Sequence, residues 1–169
     1  MLADPADQQR LLTLAELDSE IGRLQHTAKK LPQHARIAEL MRNRQAVTDD
    51  LVAVTTRVGD LELSVRRAES DLVPVRTRLD RESKRVGDGS VTDPKVLRGL
   101  TEEVERIKRR IIELEDAELD LMGQLEETTA QRDELATRKK EVEETLRAEV
   151  AVRDAEVSKL STEAKAAAA

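Results

Sequence analysis

The side chains in this sequence that could do chemistry are two histidines, three adjacent glutamate pairs, an aspartate between glycines and two short basic runs. His26 and His34 straddle Pro32, and neither has a second His or a Cys at the spacing a metal ion needs. Gly87-Asp88-Gly89 follows a predicted helix instead of a strand and lacks the downstream Lys of a phosphate loop. Glu102-Glu103, Glu126-Glu127 and Glu143-Glu144 are adjacent on predicted helices, so each pair points in two directions around the axis and does not converge on a substrate. Lys108 to Arg110 and Arg138 to Lys140 have acids within three or four residues, the pattern of a solvated helix face. The expectation is a protein that is not an enzyme and has no catalytic, cofactor or metal residues, so function must come from what its helices touch.

Those helices are written in two runs of heptad-spaced apolar residues. The first is Ile37, Leu40, Val47, Leu51, Val54, Val58, Leu61, Val65, Ala68, Leu72, Val75, Leu79. The second is Leu97, Leu100, Val104, Ile107, Ile111, Leu114, Leu121, Leu125, Leu135, Val142, Leu146. Between them lies Gly87 to Pro94. An apolar residue at alternating three and four spacing forms one seam on a helix, and two seams joined by a turn bury each other. The expected fold is all-α: a long antiparallel coiled-coil hairpin, on the order of 120 Å long for 80 residues at ~1.5 Å each.

Composition agrees. The 169 residues contain no Phe, Trp, Tyr or Cys, so there are no aromatic side chains to build a globular core, and 38% are charged. Disorder is excluded because a disordered chain has no reason to keep the seam spacing. No stretch approaches the ~20 apolar residues of a membrane span, and the N-terminus lacks the basic and apolar regions of a signal peptide, so no membrane is expected and a cytoplasmic location is the default. Residues 1–86 hold 15 Lys and Arg against 14 Asp and Glu, whereas residues 87–169 hold 14 against 21. A near-neutral arm beside an acidic one suits intramolecular pairing, and neither arm is a basic rod for gripping phosphates.

Along the chain, Asp4-Pro5 reads as an N-cap and first helical residue, opening a segment over 4–31. Pro32 ends it, because the residue before a proline disfavours the α region and the proline has no N–H to give. The outgoing arm spans 33–86, with Pro74 expected to bend it. The tip covers 87–93, the return arm 94–164 and a tail 165–169, all within one elongated hairpin over 1–169. Tip residues Gly87, Asp88, Gly89, Ser90, Asp93 and Pro94 are the candidate interaction site: the glycines permit left-handed backbone, and Asp93-Pro94 caps the return helix. Folding about residue 88 puts Leu79 near Leu97, Ile37 level with Lys139 and Leu17 level with Lys159. Arg44 would then meet Arg132 on the seam, where Thr128 and Lys139 also fall. Either Asp49, Asp50 and Asp133 compensate, or the coil opens or shifts register between residues 128 and 139, so Pro32, Arg44, Pro74 and Arg132 are the expected hinge positions; the alternative is that the long arginine side chains snorkel outward. Leu146, Val150, Val157 and Leu160 continue in a shifted phase, which reads as a stutter.

Ala3-Asp4-Pro5 with Gln8, Leu11-Leu12, Leu14 and Glu16-Leu17-Asp18, the Leu31-Pro32 break, Ile37-Ala38-Glu39-Leu40, Val91-Thr92-Asp93-Pro94-Lys95 and Leu114-Glu115-Asp116 resemble the actinobacterial coiled-coil proteins with a C-terminal C4-type zinc ribbon. The resemblance covers nearly the whole chain. It implies a kinked helical hairpin carrying a small zinc ribbon near its open end, with roles in binding nucleic acid and partner proteins. These 169 residues have no Cys, so no zinc ligand carries over to any position, and zinc is expected only in a full-length family member.

Three functions follow as expectations. The first is a scaffold or adaptor that presents its tip or polar faces to unidentified protein partners, with nucleic-acid or protein binding assigned to the missing zinc ribbon. The second is a prefoldin-like holder using apolar residues at the open end, with Leu11, Leu12, Val157 and Leu160 as candidates. The third is direct nucleic-acid binding by the coil, which the acidic second arm opposes. A monomer is the default, and a dimer or partner helix on a second stripe of Ile112, Leu119 and Met122 stays open.

Overall fold

The computed structural model describes residues 4–168, in which all regular structure is helical: α1 (Pro5–Lys29), α2 (Pro32–Gly87) and α3 (Pro94–Ala168). The chain is an all-α helical hairpin, as its seam pattern predicts. No helix among the described residues is long and apolar enough to cross a membrane. By internal packing the chain divides into two units, Met1–Asp49 with Thr137–Ala169, and Asp50–Ala136.

Each helix start is a local decision of the sequence. The Asp4 carboxylate accepts the Ala6 N–H at 3.0 Å with Pro5 in the first turn, and Asp93 accepts the Lys95 N–H at 2.8 Å with Pro94 behind it. In both, a side-chain oxygen satisfies an orphan donor, and the proline occupies a position where no N–H is required. α1 ends where the Lys30 N–H is shared between the His26 and Thr27 carbonyls, at 3.1 and 3.0 Å. The chain then crosses Leu31, which is buried, and re-enters helix at Pro32. His34 spans this break, with Nε2 3.0 Å from the Ala28 carbonyl oxygen. The expected segments 4–31 and 33–86 are thus divided by a two-residue connector, and Pro32 is the first residue of α2. Pro74 lies inside α2, which continues as helix on both sides of it. At the far end, α3 remains helical to Ala168, so the expected tail is helix as far as it is described.

In the unit Asp50–Ala136, Leu72 is 1% exposed and packs with Ile107 and Ile111, with Val75, Leu79 and Leu114 against them. These residues recur at three and four, so each helix offers one narrow stripe to the other. Their register differs from that of a fold about residue 88. Arg78, which that register sets level with Arg98, is bonded to Glu103 at 2.6 Å, and Leu97 is exposed. The reason is local: the Asp88 N–H still bonds back to the Lys84 carbonyl at 2.9 Å, so the first arm runs past Gly87 and the turn is centred near Ser90 and Val91.

In the other unit, Leu31, Ile37, Leu40 and Val47 are buried on one side of the hairpin and Val142 and Leu160 on the other. No residue of α1 is fully buried. Ile21, Leu24 and Ala28 line an open groove of about 490 Å³ together with Leu160 and Ala164 of α3. Leu24 therefore lies near Leu160, which displaces the expected level pairing of Leu17 with Lys159.

Candidate functional site

The tip candidates are contiguous and form one exposed turn. α2 closes at Gly87; Gly89 has φ of 71°, a left-handed conformation that costs glycine nothing because it has no Cβ. The Asp88 carboxylate accepts the Ser90 backbone N–H at 2.9 Å across that glycine. Hydrogen bonds from the Ser90 hydroxyl and amide hold the Asp88 carboxyl below the usual aspartate range. Asp93 then caps α3. Its carboxylate takes the Lys95 N–H, with the Val96 N–H at 3.4 Å, while its carbonyl takes the Leu97 N–H at 2.9 Å. Gly87, Asp88, Gly89, Ser90, Asp93 and Pro94 are all exposed. Two acidic side chains thus fold the loop onto itself, leaving a preformed polar surface.

Directly below the tip is a residue that the seam pattern did not single out. Glu82 is buried, 6% exposed, at the position where the three-four spacing of Leu72, Val75 and Leu79 continues. Its oxygens are taken by Arg81 at 3.0 Å and Arg85 at 2.8 Å. The Arg81 hydrogen bond, aided by Arg85 and opposed by desolvation, holds its carboxyl below the ordinary glutamate value. The signal was present: extending the heptad past Leu79 lands on an acid with arginines one residue before and three after. Further along, Glu103 joins three charges, with Arg78 on one oxygen and Arg106 of its own helix on the other. Arg76 reaches Glu115 at 2.7 Å across the same pair of helices. These exposed and half-exposed pairs fix register and orientation more than they add stability.

The four hinge candidates are not brought together. Pro32 opens α2 and Pro74 is in its interior. Arg44 is half-buried, while Arg132 turns both Nε and Nη2 onto Asp133 Oδ1 at 2.9 and 2.7 Å. Arg132 stays half-buried, and its charge is paired with the adjacent carboxylate. Thr128, also on the seam, is buried and satisfies its hydroxyl on the Gln124 carbonyl at 2.7 Å. Lys139 lies 4.0 Å from Glu143. Of the open-end apolar candidates, Leu160 is covered, whereas Leu11 and Leu12 are 64% and 66% exposed.

Among the described residues no three His, Cys, Asp or Glu are grouped as a metal site. What the arrangement offers is surface: a capped tip, ion-paired flanks and a few uncovered apolar side chains.

Residues 14–169 match the family described as the CT398-like coiled coil hairpin domain. A Mycobacterium tuberculosis protein, found in two strains, is 38% identical over 132 residues, covering 78% of this chain and 54% of the relative. A Mycobacterium leprae protein is 33% identical over 109 residues, covering 64% of this chain and 47% of the relative. The chain thus spans about half the length of the curated relatives it matches. A solved structure from Mycobacterium smegmatis is similar over 99% of this chain and 69% of its own, with a TM-score of 0.80 and 33% identity. The match over the hairpin, with its seam, tip and Leu31-Pro32 break, places this chain in the CT398-like coiled coil hairpin family, an actinobacterial branch of which supplies these relatives.

Proposed function

We propose that the protein is a non-enzymatic, monomeric cytoplasmic scaffold, an adaptor whose hairpin presents its tip as a docking surface. The observation that supports this most directly is the tip itself. Its polar side chains are exposed, yet its backbone is fixed by Asp88 and Asp93, so little ordering entropy opposes docking. In full-length family members, a C-terminal zinc ribbon outside these residues carries zinc and contacts nucleic acid or protein; the extra length of the mycobacterial relatives leaves room for it.

The test is a crosslinking pull-down from the native cell, comparing the wild type with Asp88→Ala/Ser90→Ala, which retains Gly89 and the Asp93 cap. Loss of specific partners with unchanged helicity is expected. Retention of every partner would overturn tip docking. Zinc measured in the longer relatives tests the ribbon: stoichiometric metal is expected there, and its absence would remove that part.

The holder reading is favoured by one observation, the exposure of Leu11, Leu12 and Leu14 on α1. Suppression of client aggregation that fails in Leu11→Ser/Leu12→Ser would bring it forward. Direct nucleic-acid binding by the coil is disfavoured by charge, since residues 87–169 hold 21 Asp and Glu against 14 Lys and Arg.

A further inference from the structure

Charge along the unit Asp50–Ala136 is sharply divided. Residues 76–110, around the tip, hold eleven Lys and Arg against seven acids, whereas 111–136 of α3 hold nine acids and only Arg132, which is bonded to Asp133. Large apolar side chains stand uncovered in this acidic stretch: Ile112 is 57% exposed, Leu119 63% and Met122 48%. With Glu115 they step by three, four and three, and so form one stripe on α3 distinct from the Ile107, Ile111, Leu114 seam. The ion pair between Arg76 and Glu115 shows that this stripe borders the groove between α2 and α3. Val73, one turn before Arg76 on the same side of α2, is 62% exposed on the opposite bank.

We propose that this flank is a docking groove for a partner protein's amphipathic helix with lysines or arginines beside its apolar face. The apolar stripe supplies the buried contact, and the surrounding acids, including Asp116, Asp120 and Glu126, select a basic rim over an acidic one. A third helix laid along two coiled helices buries an i, i+3, i+7 stripe without opening the existing seam. The inference rests on the scaffold reading and adds to it a second site, some distance from the tip along α3.

The probe is a labelled synthetic helix of about 20 residues, leucine-striped with lysine flanks, titrated with the 169-residue chain by fluorescence anisotropy at about 0.15 M salt. Saturable binding is expected, weakened about tenfold or more by Leu119→Ser/Met122→Ser and unchanged by Val152→Ser, an exposed valine outside this unit. The same helix with glutamate flanks is expected not to bind. Equal affinity for the double variant would overturn the groove. So would sedimentation showing that the free chain dimerises through this face, with the dimer abolished by the double variant, because the occupant would then be a second copy. Tip-dependent partner retention is measured separately, so failure here leaves the scaffold reading standing on its own test. Circular dichroism melts of both variants guard against misfolding, and the Glu115→Lys/Asp116→Lys variant, expected to lose the lysine-flanked probe, gives a second route to the same decision.

Discussion

Arg78 and Glu103 meet at 2.6 Å across the two long helices, and Glu103 gives its other oxygen to Arg106. The contact fixes which turn of α2 faces which turn of α3. A double-mutant cycle with Arg78→Ala and Glu103→Ala is expected to give a coupling of about 0.2–1 kcal/mol that fades in high salt, because Arg78 is more than half exposed. No coupling at low salt would mean the pair does not hold the register.

Leu72 is the best-covered side chain of its unit, set between Ile107 and Ile111. Leu72→Ala removes it from a seam only two helices thick, with few neighbours able to close the gap. The expected cost is about 2–4 kcal/mol by chemical denaturation, against less than about 0.5 kcal/mol for Leu63→Ala, whose side chain is half exposed.

Glu82 brings pH into the fold. Its carboxyl lies below the ordinary value of 4.5 in the folded chain because Arg81 and Arg85 bond the charged form. A lowered folded pKa means that the stabilisation is present above the unfolded value and is lost as pH falls through the folded one. Thermal melts of Glu82→Gln are therefore expected to fall below wild type at pH 7, and the gap is expected to close as pH is taken below 4.5. A gap that stays constant down to the acid limit would show that the carboxylate charge is not what Arg81 and Arg85 are reading.

Pro32 and Pro74 are the same residue in opposite circumstances. Pro32 begins α2, where its missing N–H is no loss, whereas Pro74 sits in the helix interior and deprives the Ser70 carbonyl of its donor. Pro74→Ala is expected to raise stability by about 1–3 kcal/mol, and Pro32→Ala to change it little. Equal effects would mean that Pro74 is compensated by a bend that the hairpin needs.

The helices follow from local residue pattern alone. Three-four spacing selected the α period, Asp-Pro at residues 4–5 and 93–94 set two helix starts, Leu31-Pro32 set the break, and the missing aromatics left nothing to build a globular core. The sequence also contained the tip, because Gly89 turns through its own backbone and Asp93 acts through contacts within four residues of itself. The register was a tertiary matter. The apolar spacing shows that two seams exist but not at which residue the chain reverses, so it did not separate Arg78 level with Arg98 from Arg78 beside Glu103; the hydrogen bond from Asp88 back to Lys84 and the ion pairs across the helices decided it. The groove flank likewise depends on the tertiary contact between Arg76 and Glu115. Ile112, Leu119 and Met122 read as off-seam residues from spacing alone, but which neighbour they border depends on where the second helix lies, and that is settled only when both helices are packed.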